Sequence, residues 1–211
     1  MNKVIEREQW KQMIIDHGPY KYMITVTFKH SLSDNEAIQV YNRLLRFVNR
    51  KIYGNRSMEK NRHMTGFVSA ERQQRRLTKQ EKMLNKFKAN NIEFIKEHGD
   101  KVAEQTKRSF NKDATLHFHM LVKDDLFLSR FSAVELRQLI LEQCDKLKKQ
   151  SAKGYDYDLF DERGIDIRSV YDITELADYL TKETKTVGGD NISSLNKYGV
   201  EFISEELKQA V

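Results

Sequence analysis

Two histidines separated by one apolar residue, His117 and His119, are the side chains best placed to do chemistry. They lie in the stretch 115–122 (TLHFHMLV), whose alternation and flanking β-branched residues predict a strand. On a strand, successive side chains point to opposite faces, so His117 and His119 share one face about 7 Å apart. Leu116, Phe118, Met120 and Val122 share the other, which reads as buried against helices. Two imidazoles on one face are a pair that can grip a single divalent metal ion. Further on, Tyr179 falls just off the apolar stripe of a predicted helix, with Lys182 one turn later and Glu175 one turn earlier on nearly the same side. Taken singly, each has a plain structural explanation: a His-x-His pair within a sheet, a tyrosine packing at a stripe edge, a solvated lysine.

The elements that must position these residues follow from patterning. Residues 3–16 read as a short amphipathic helix ending before Gly18-Pro19, a break that opens the domain proper. Residues 22–28 (YMITVTF) form a strand with Ile24, Val26 and Phe28 on one face and Met23, Thr25 and Thr27 on the other. Ser33 caps the next helix, whose apolar stripe runs through Ile38, Tyr41, Leu44, Leu45, Val48 and Ile52 and which ends at Gly54. Its polar side carries Arg43, Arg46 and Arg50. Residues 65–71 form a second strand, with Phe67, Ser69 and Glu71 on one face. If it pairs with the histidine strand, Glu71 lies beside the histidines. Ser132 and Glu135 make a capping box for a helix anchored by Val134, Leu139, Ile140 and Leu147. Residues 164–170 form a strand with Ile165 and Ile167 inward. Asp172 then caps a helix over 172–183 with a buried stripe of Ile173, Leu176, Ala177 and Leu180. Residues 191–211 carry no assignable element.

The chain has 211 residues, 39% hydrophobic and 32% charged, which suits one core with appendages. No run approaches the roughly 18 apolar residues of a membrane span, and the N-terminus has no signal-peptide core. The single cysteine, Cys144, excludes an internal disulfide and favours a reducing compartment, so a cytoplasmic location is expected, with no membrane partner. Net charge is +6. Sixteen lysines and arginines against eight acidic residues fall between Lys51 and Asp113, so the positive charge is concentrated, as an anionic partner such as nucleic acid would favour. Within that region 72–112 reads as a basic helical insertion, where Arg72, Arg75, Arg76 and Lys79 can track phosphates or simply form a solvated face.

In combination and in this order, the Thr-rich strand 24–28, His117-x-His119 and Tyr179-x-x-Lys182 resemble the HUH endonuclease superfamily. The closer likeness is to the single-tyrosine initiators of rolling-circle replication in plasmids and phages. The resemblance covers roughly residues 20–185, and the domain it implies is taken as 20–187, leaving 1–19 as an N-terminal helical extension and 188–211 as a C-terminal tail. It implies an α+β fold: a central antiparallel sheet of ferredoxin or RRM type flanked by helices. It implies a divalent metal, Mn²⁺ or Mg²⁺, on His117 and His119 with a third ligand, for which strand pairing puts forward Glu71. It implies Tyr179 as the nucleophile that becomes linked to a 5′ phosphate, and Lys182 as its supporting cation. Where relatives with two tyrosines carry the second one, positions 175 and 183 are glutamate, so the chain fits the single-tyrosine class. Glu175 or Glu183 is then a candidate to activate water, and Tyr171 a back-up nucleophile. The implied partners are single-stranded origin DNA with a flanking duplex or hairpin, on which Arg43, Arg46 and the basic insertion would act. A host helicase and polymerase complete the set, because no Walker-A sequence occurs. A single-tyrosine transposase or mobilisation relaxase would share the chemistry, and a non-cleaving nucleic-acid-binding module would share the fold.

Overall fold

The protein, in a computed structural model, is described over residues 3–30, 32–73, 115–150, 156–182, 192–196 and 199–200. Its centre is a five-stranded antiparallel sheet made of β1 (Tyr20–Thr27), β2 (Gly66–Gln73), β3 (Thr115–Lys123), β6 (Asp166–Ser169) and β7 (Ile192–Ser194), in the order β6-β1-β3-β2-β7. The described helices are α1 (Lys3–Asp16), α2 (Asp34–Tyr53), α3 (Ala133–Asp145) and α4 (Ile173–Leu180). A two-stranded ribbon, β4 (Lys149–Gln150) with β5 (Asp156–Tyr157), stands apart. None of these helices is long and apolar enough to cross a membrane.

The period-two pattern sorts the sheet into two unlike faces. On one, Ile24 and Val26 from β1, Phe28 just beyond it, Phe118 and Met120 from β3 and Val68 from β2 pack under Tyr41, Leu44 and Val48 of α2 and Leu136 and Ile140 of α3. Phe118 stacks on Tyr41 with ring centroids 4.0 Å apart. Truncating so enclosed an aromatic ring costs about 3–5 kcal/mol. The other face is only half covered. Phe67, Leu121 and, across a bulge between residues 20 and 22, Tyr20 meet Ile14 of α1 and Ala177 and Leu180 of α4. The rest of that face is polar, a grid set by the strand register. Thr25 and Ser69 flank His119, and Thr27 and Glu71 flank His117.

Caps fix the helix starts as their residue types require. Ser33 accepts from Glu36 N, Ser132 and Glu135 form the reciprocal box, and Asp172 accepts from Thr174 N and Glu175 N. Two helix expectations are corrected. Val134 is 78% exposed and Leu136 is buried in its stead, because a step of two positions turns the chain about 200° round the helix. The helix bearing Tyr179 ends at Leu180, with Thr181 as its C-cap, so Lys182 stands in the turn beyond it.

The unassigned C-terminal stretch supplies an edge strand and an anchor. β7 pairs with Phe67–Ser69, and Asn42 of α2 clamps Val200 by accepting from its N–H at 2.8 Å and donating to its carbonyl at 3.0 Å. Gly199 (φ 119°) must be glycine there, since a Cβ would come within 2.1 Å of Asn42 Oδ1. The helical reading of 72–112 beyond Gln73 lies outside the described residues. Gln73 and Thr115 are register partners, so the chain departs and returns at one end of the β2–β3 hairpin.

Candidate active site

The half-covered face gathers the residues singled out by type and spacing. His117 and His119 stand side by side with ring centroids 6.4 Å apart and planes 13° from parallel. The β1 threonines hold them from behind. Thr27 Oγ1 has one hydrogen and donates it to Gly164 O at 3.0 Å. It must therefore accept from His117 Nδ1–H at 2.8 Å, which leaves Nε2 as the nitrogen with the lone pair a metal requires. Thr25 Oγ1 makes the matching bond to His119 Nδ1 at 3.0 Å. Gly164 permits this approach, because a Cβ on it would sit 2.4 Å from Thr27 Cβ. The threonine roles were open to notice in the sequence, since Thr25 and Thr27 have the same alternation as the histidines. What was missing was which strand lies next to β3.

Glu71 sits opposite His117 in the register and reaches diagonally to His119, with Oε2 3.3 Å from Nε2. That same oxygen accepts an ion pair from Lys182 Nζ at 2.8 Å. Tyr179 Oη shares a hydrogen bond with His119 Nε2 at 3.2 Å, and the Lys182 ammonium lies 4.2 Å from the centre of the Tyr179 ring. Tyr179, Lys182, His119 and Glu71 thus form one closed cluster drawn from a helix end and two strands.

The electrostatics follow from this packing. Burial pushes the His119 imidazole down to about 4, against the pull of Glu71, and lowers His117 too, against Glu71 and Asp161. Burial pushes the Glu71 carboxyl up, but Lys182 and His119 outweigh it and leave it below the usual carboxylate range. Burial likewise pushes Lys182 down, and Glu71 and Tyr179 outweigh that, so its ammonium is held more firmly than usual. At neutral pH the cluster therefore presents two neutral imidazoles, one carboxylate and one ammonium. Two imidazoles and a carboxylate are a donor set that suits a divalent cation. Among the described residues, though, no three His, Cys, Asp or Glu side chains are already gathered as a cage.

A cleft of about 380 Å³ opens beside Tyr179. Met23, Thr25, Arg168, Tyr171 and Glu175 are among its walls. Glu175 is exposed there, one turn before the tyrosine, and Tyr171 is 94% exposed. A larger cleft of about 680 Å³ lies between α3 and residues 158–165. Its one thiol, Cys144, is pushed by burial up to about 12, which makes it a poor nucleophile.

Arg43 and Arg46 are not brought to the site. They project into solvent from the outer side of α2, which packs on the opposite face of the sheet. Their 3.6-residue period identifies a polar side of a helix but not the layer in which that helix lies. Arg72 lies in β2 opposite Leu116, while Arg75, Arg76, Lys79 and Glu183 fall outside the described residues. The larger omission from the sequence reading is on α1. Arg7 donates to Thr181 O at 3.3 Å and to Asp178 Oδ1 at 2.9 Å, and Lys11 pairs with the same Asp178 oxygen at 3.0 Å. These contacts pin the end of α4 on either side of Tyr179. Compared with protein-family models, curated proteins and solved structures, the chain matches none.

Proposed function

We propose that this protein cuts and rejoins single-stranded DNA through Tyr179. The observation that carries the proposal is the convergence of Tyr179, Lys182, His119 and Glu71 from three separate parts of the chain into one cluster on the half-covered sheet face. A phenol with an ordinary pKa near 10 needs help to attack at neutral pH. Lys182, 4.2 Å from the ring, offers a positive charge to the oxygens of the scissile phosphate. Tyr179 Oη forms a bond to phosphorus as the bond to the 3′ oxygen breaks, and that oxygen takes up a proton to become a 3′-hydroxyl. The phosphotyrosine keeps the energy of the phosphodiester, so the 3′-hydroxyl can prime synthesis and later reverse the step. A Mn²⁺ or Mg²⁺ ion held by His117, His119 and Glu71 would supply Lewis acidity toward the same phosphate. Glu175, on the wall of the adjoining cleft, is the residue we assign to activating water for a terminating hydrolysis.

The finer reading is initiation of rolling-circle replication at a defined origin with a recruited helicase and polymerase, and the order and spacing of the three motifs support it. Incubating the protein with a labelled, sequence-randomised single-stranded DNA pool and Mn²⁺ tests the activity. The expected result is a denaturant-resistant protein–DNA adduct with release of a free 3′ end, abolished by EDTA. Binding without any adduct would overturn the proposal in favour of a nucleic-acid-binding module.

A further inference from the structure

We propose that Lys182 and the divalent cation compete for Glu71, so that binding the ion frees the ammonium to meet the DNA phosphate. The inference rests on the reading that His117, His119 and Glu71 hold that cation. Its basis is a single atom. Glu71 Oε2 is the oxygen that faces His119 Nε2, at 3.3 Å, and it is also the oxygen that Lys182 Nζ occupies at 2.8 Å. A cation shared between Nε2 and Oε2 would stand against an ammonium already in contact with the same oxygen. Two positive charges at that separation repel, and the weaker-held one leaves. Lys182 is able to leave, since it lies beyond the C-cap of α4 on a long, partly exposed side chain. The Tyr179 ring, 4.2 Å away, keeps it nearby.

The same exchange acts on the nucleophile. Tyr179 Oη is bonded to the nitrogen that the cation would take, His119 Nε2, so occupation of that nitrogen also releases the hydroxyl. Without the cation, the carboxylate, the ammonium, the imidazole and the phenol satisfy one another. With it, the ammonium and the phenol are both turned loose beside the phosphate. Linkage makes the effect reciprocal: a phosphate that draws Lys182 off Glu71 tightens the cation, so ion and DNA each favour the other.

Mn²⁺ binding to the full chain in the absence of DNA, followed by electron paramagnetic resonance, tests this without reference to cleavage. The wild type should bind Mn²⁺ at a site lost in His119→Ala. Lys182→Met should bind it roughly threefold to fivefold more tightly, the worth of a partly exposed ion pair. Arg168→Met, which removes a cation in the neighbouring cleft that is already paired with Asp166, should leave the affinity unchanged. On the unmutated protein, acetylation of Lys182 by an activated ester, read by mass spectrometry, should rise when Mn²⁺ is added. Failure of Lys182→Met to tighten a His119-dependent site, or unaltered acetylation, overturns the competition and leaves the metal reading standing. Absence of any His119-dependent Mn²⁺ site overturns both.

Discussion

Removing the Arg7 guanidinium should loosen the helix end that carries Tyr179 while leaving the sheet intact. Arg7 is largely buried between α1 and α4 and donates to the Thr181 carbonyl at 3.3 Å, one of the carbonyls that a helix C-terminus leaves without an internal partner. A cation with hydrogen bonds at this position is worth about 1–2 kcal/mol. The hydrophobic contacts of α1 through Ile14, Trp10 and Met13 do not involve Arg7, so α1 remains docked in Arg7→Ala. The loss then falls on α4, an eight-residue helix with only two fully buried side chains. The Thr181 amide, bonded to Ala177 O at 3.1 Å, reports the opening of that last turn. In native-state hydrogen exchange, Arg7→Ala should speed exchange at Thr181 by about fivefold to thirtyfold, with amides of β1 and β3 unaffected. Adduct formation should slow in step, since Tyr179 lies between Asp178 and Thr181. Unchanged exchange at Thr181 would refute the idea that α1 holds the tyrosine in place.

Three further outcomes follow from the contacts around the site. Thr27→Val keeps the shape of the side chain but removes the acceptor for His117 Nδ1–H, and should weaken Mn²⁺ binding by about tenfold or more; equal affinity would mean the ring is oriented by other groups. Asn42→Ala leaves the N–H and C=O of Val200 without their side-chain partner and should cost about 1–3 kcal/mol in urea unfolding, whereas an unmoved midpoint would show that residues 199–200 add nothing to stability. Lys11, with Arg7, holds the Asp178 carboxyl below its ordinary 3.8. Because that value is lower in the folded chain, the stability it lends is complete above pH 3.8 and fades as the pH falls through the folded value. The gap in melting temperature between wild type and Asp178→Asn should thus be constant near neutrality and shrink in acid, and a gap independent of pH would count against the clamp.

Much of the architecture was legible because it is local. Alternation in 115–122 gave both faces of β3, and Ser33, Ser132 and Asp172 announced three helix starts that the caps then occupy. Glu71 was reachable too, since strand parity and one assumed hairpin place it beside the histidines. What escaped depends on contacts between distant segments. Nothing near Lys182 says that it will close on Glu71, 111 residues earlier in the chain. Nothing near Lys3–Asp16 says that this helix will lie against α4, because its own apolar pattern is faint and, among its described side chains, only Ile14 is fully buried. β7 has three residues, too few for any period to show, and it exists as a strand because the edge of β2 offers it partners.

The central claim is that Tyr179 forms a covalent bond to DNA. After reaction with Mn²⁺ and a cleavable single strand, nuclease trimming and tryptic mass spectrometry locate the nucleotide on the protein. The account predicts a nucleotidyl phosphate on Tyr179 alone, absent from Tyr179→Phe. A phosphate mapped to the exposed Tyr171, or an adduct that survives Tyr179→Phe, would contradict it.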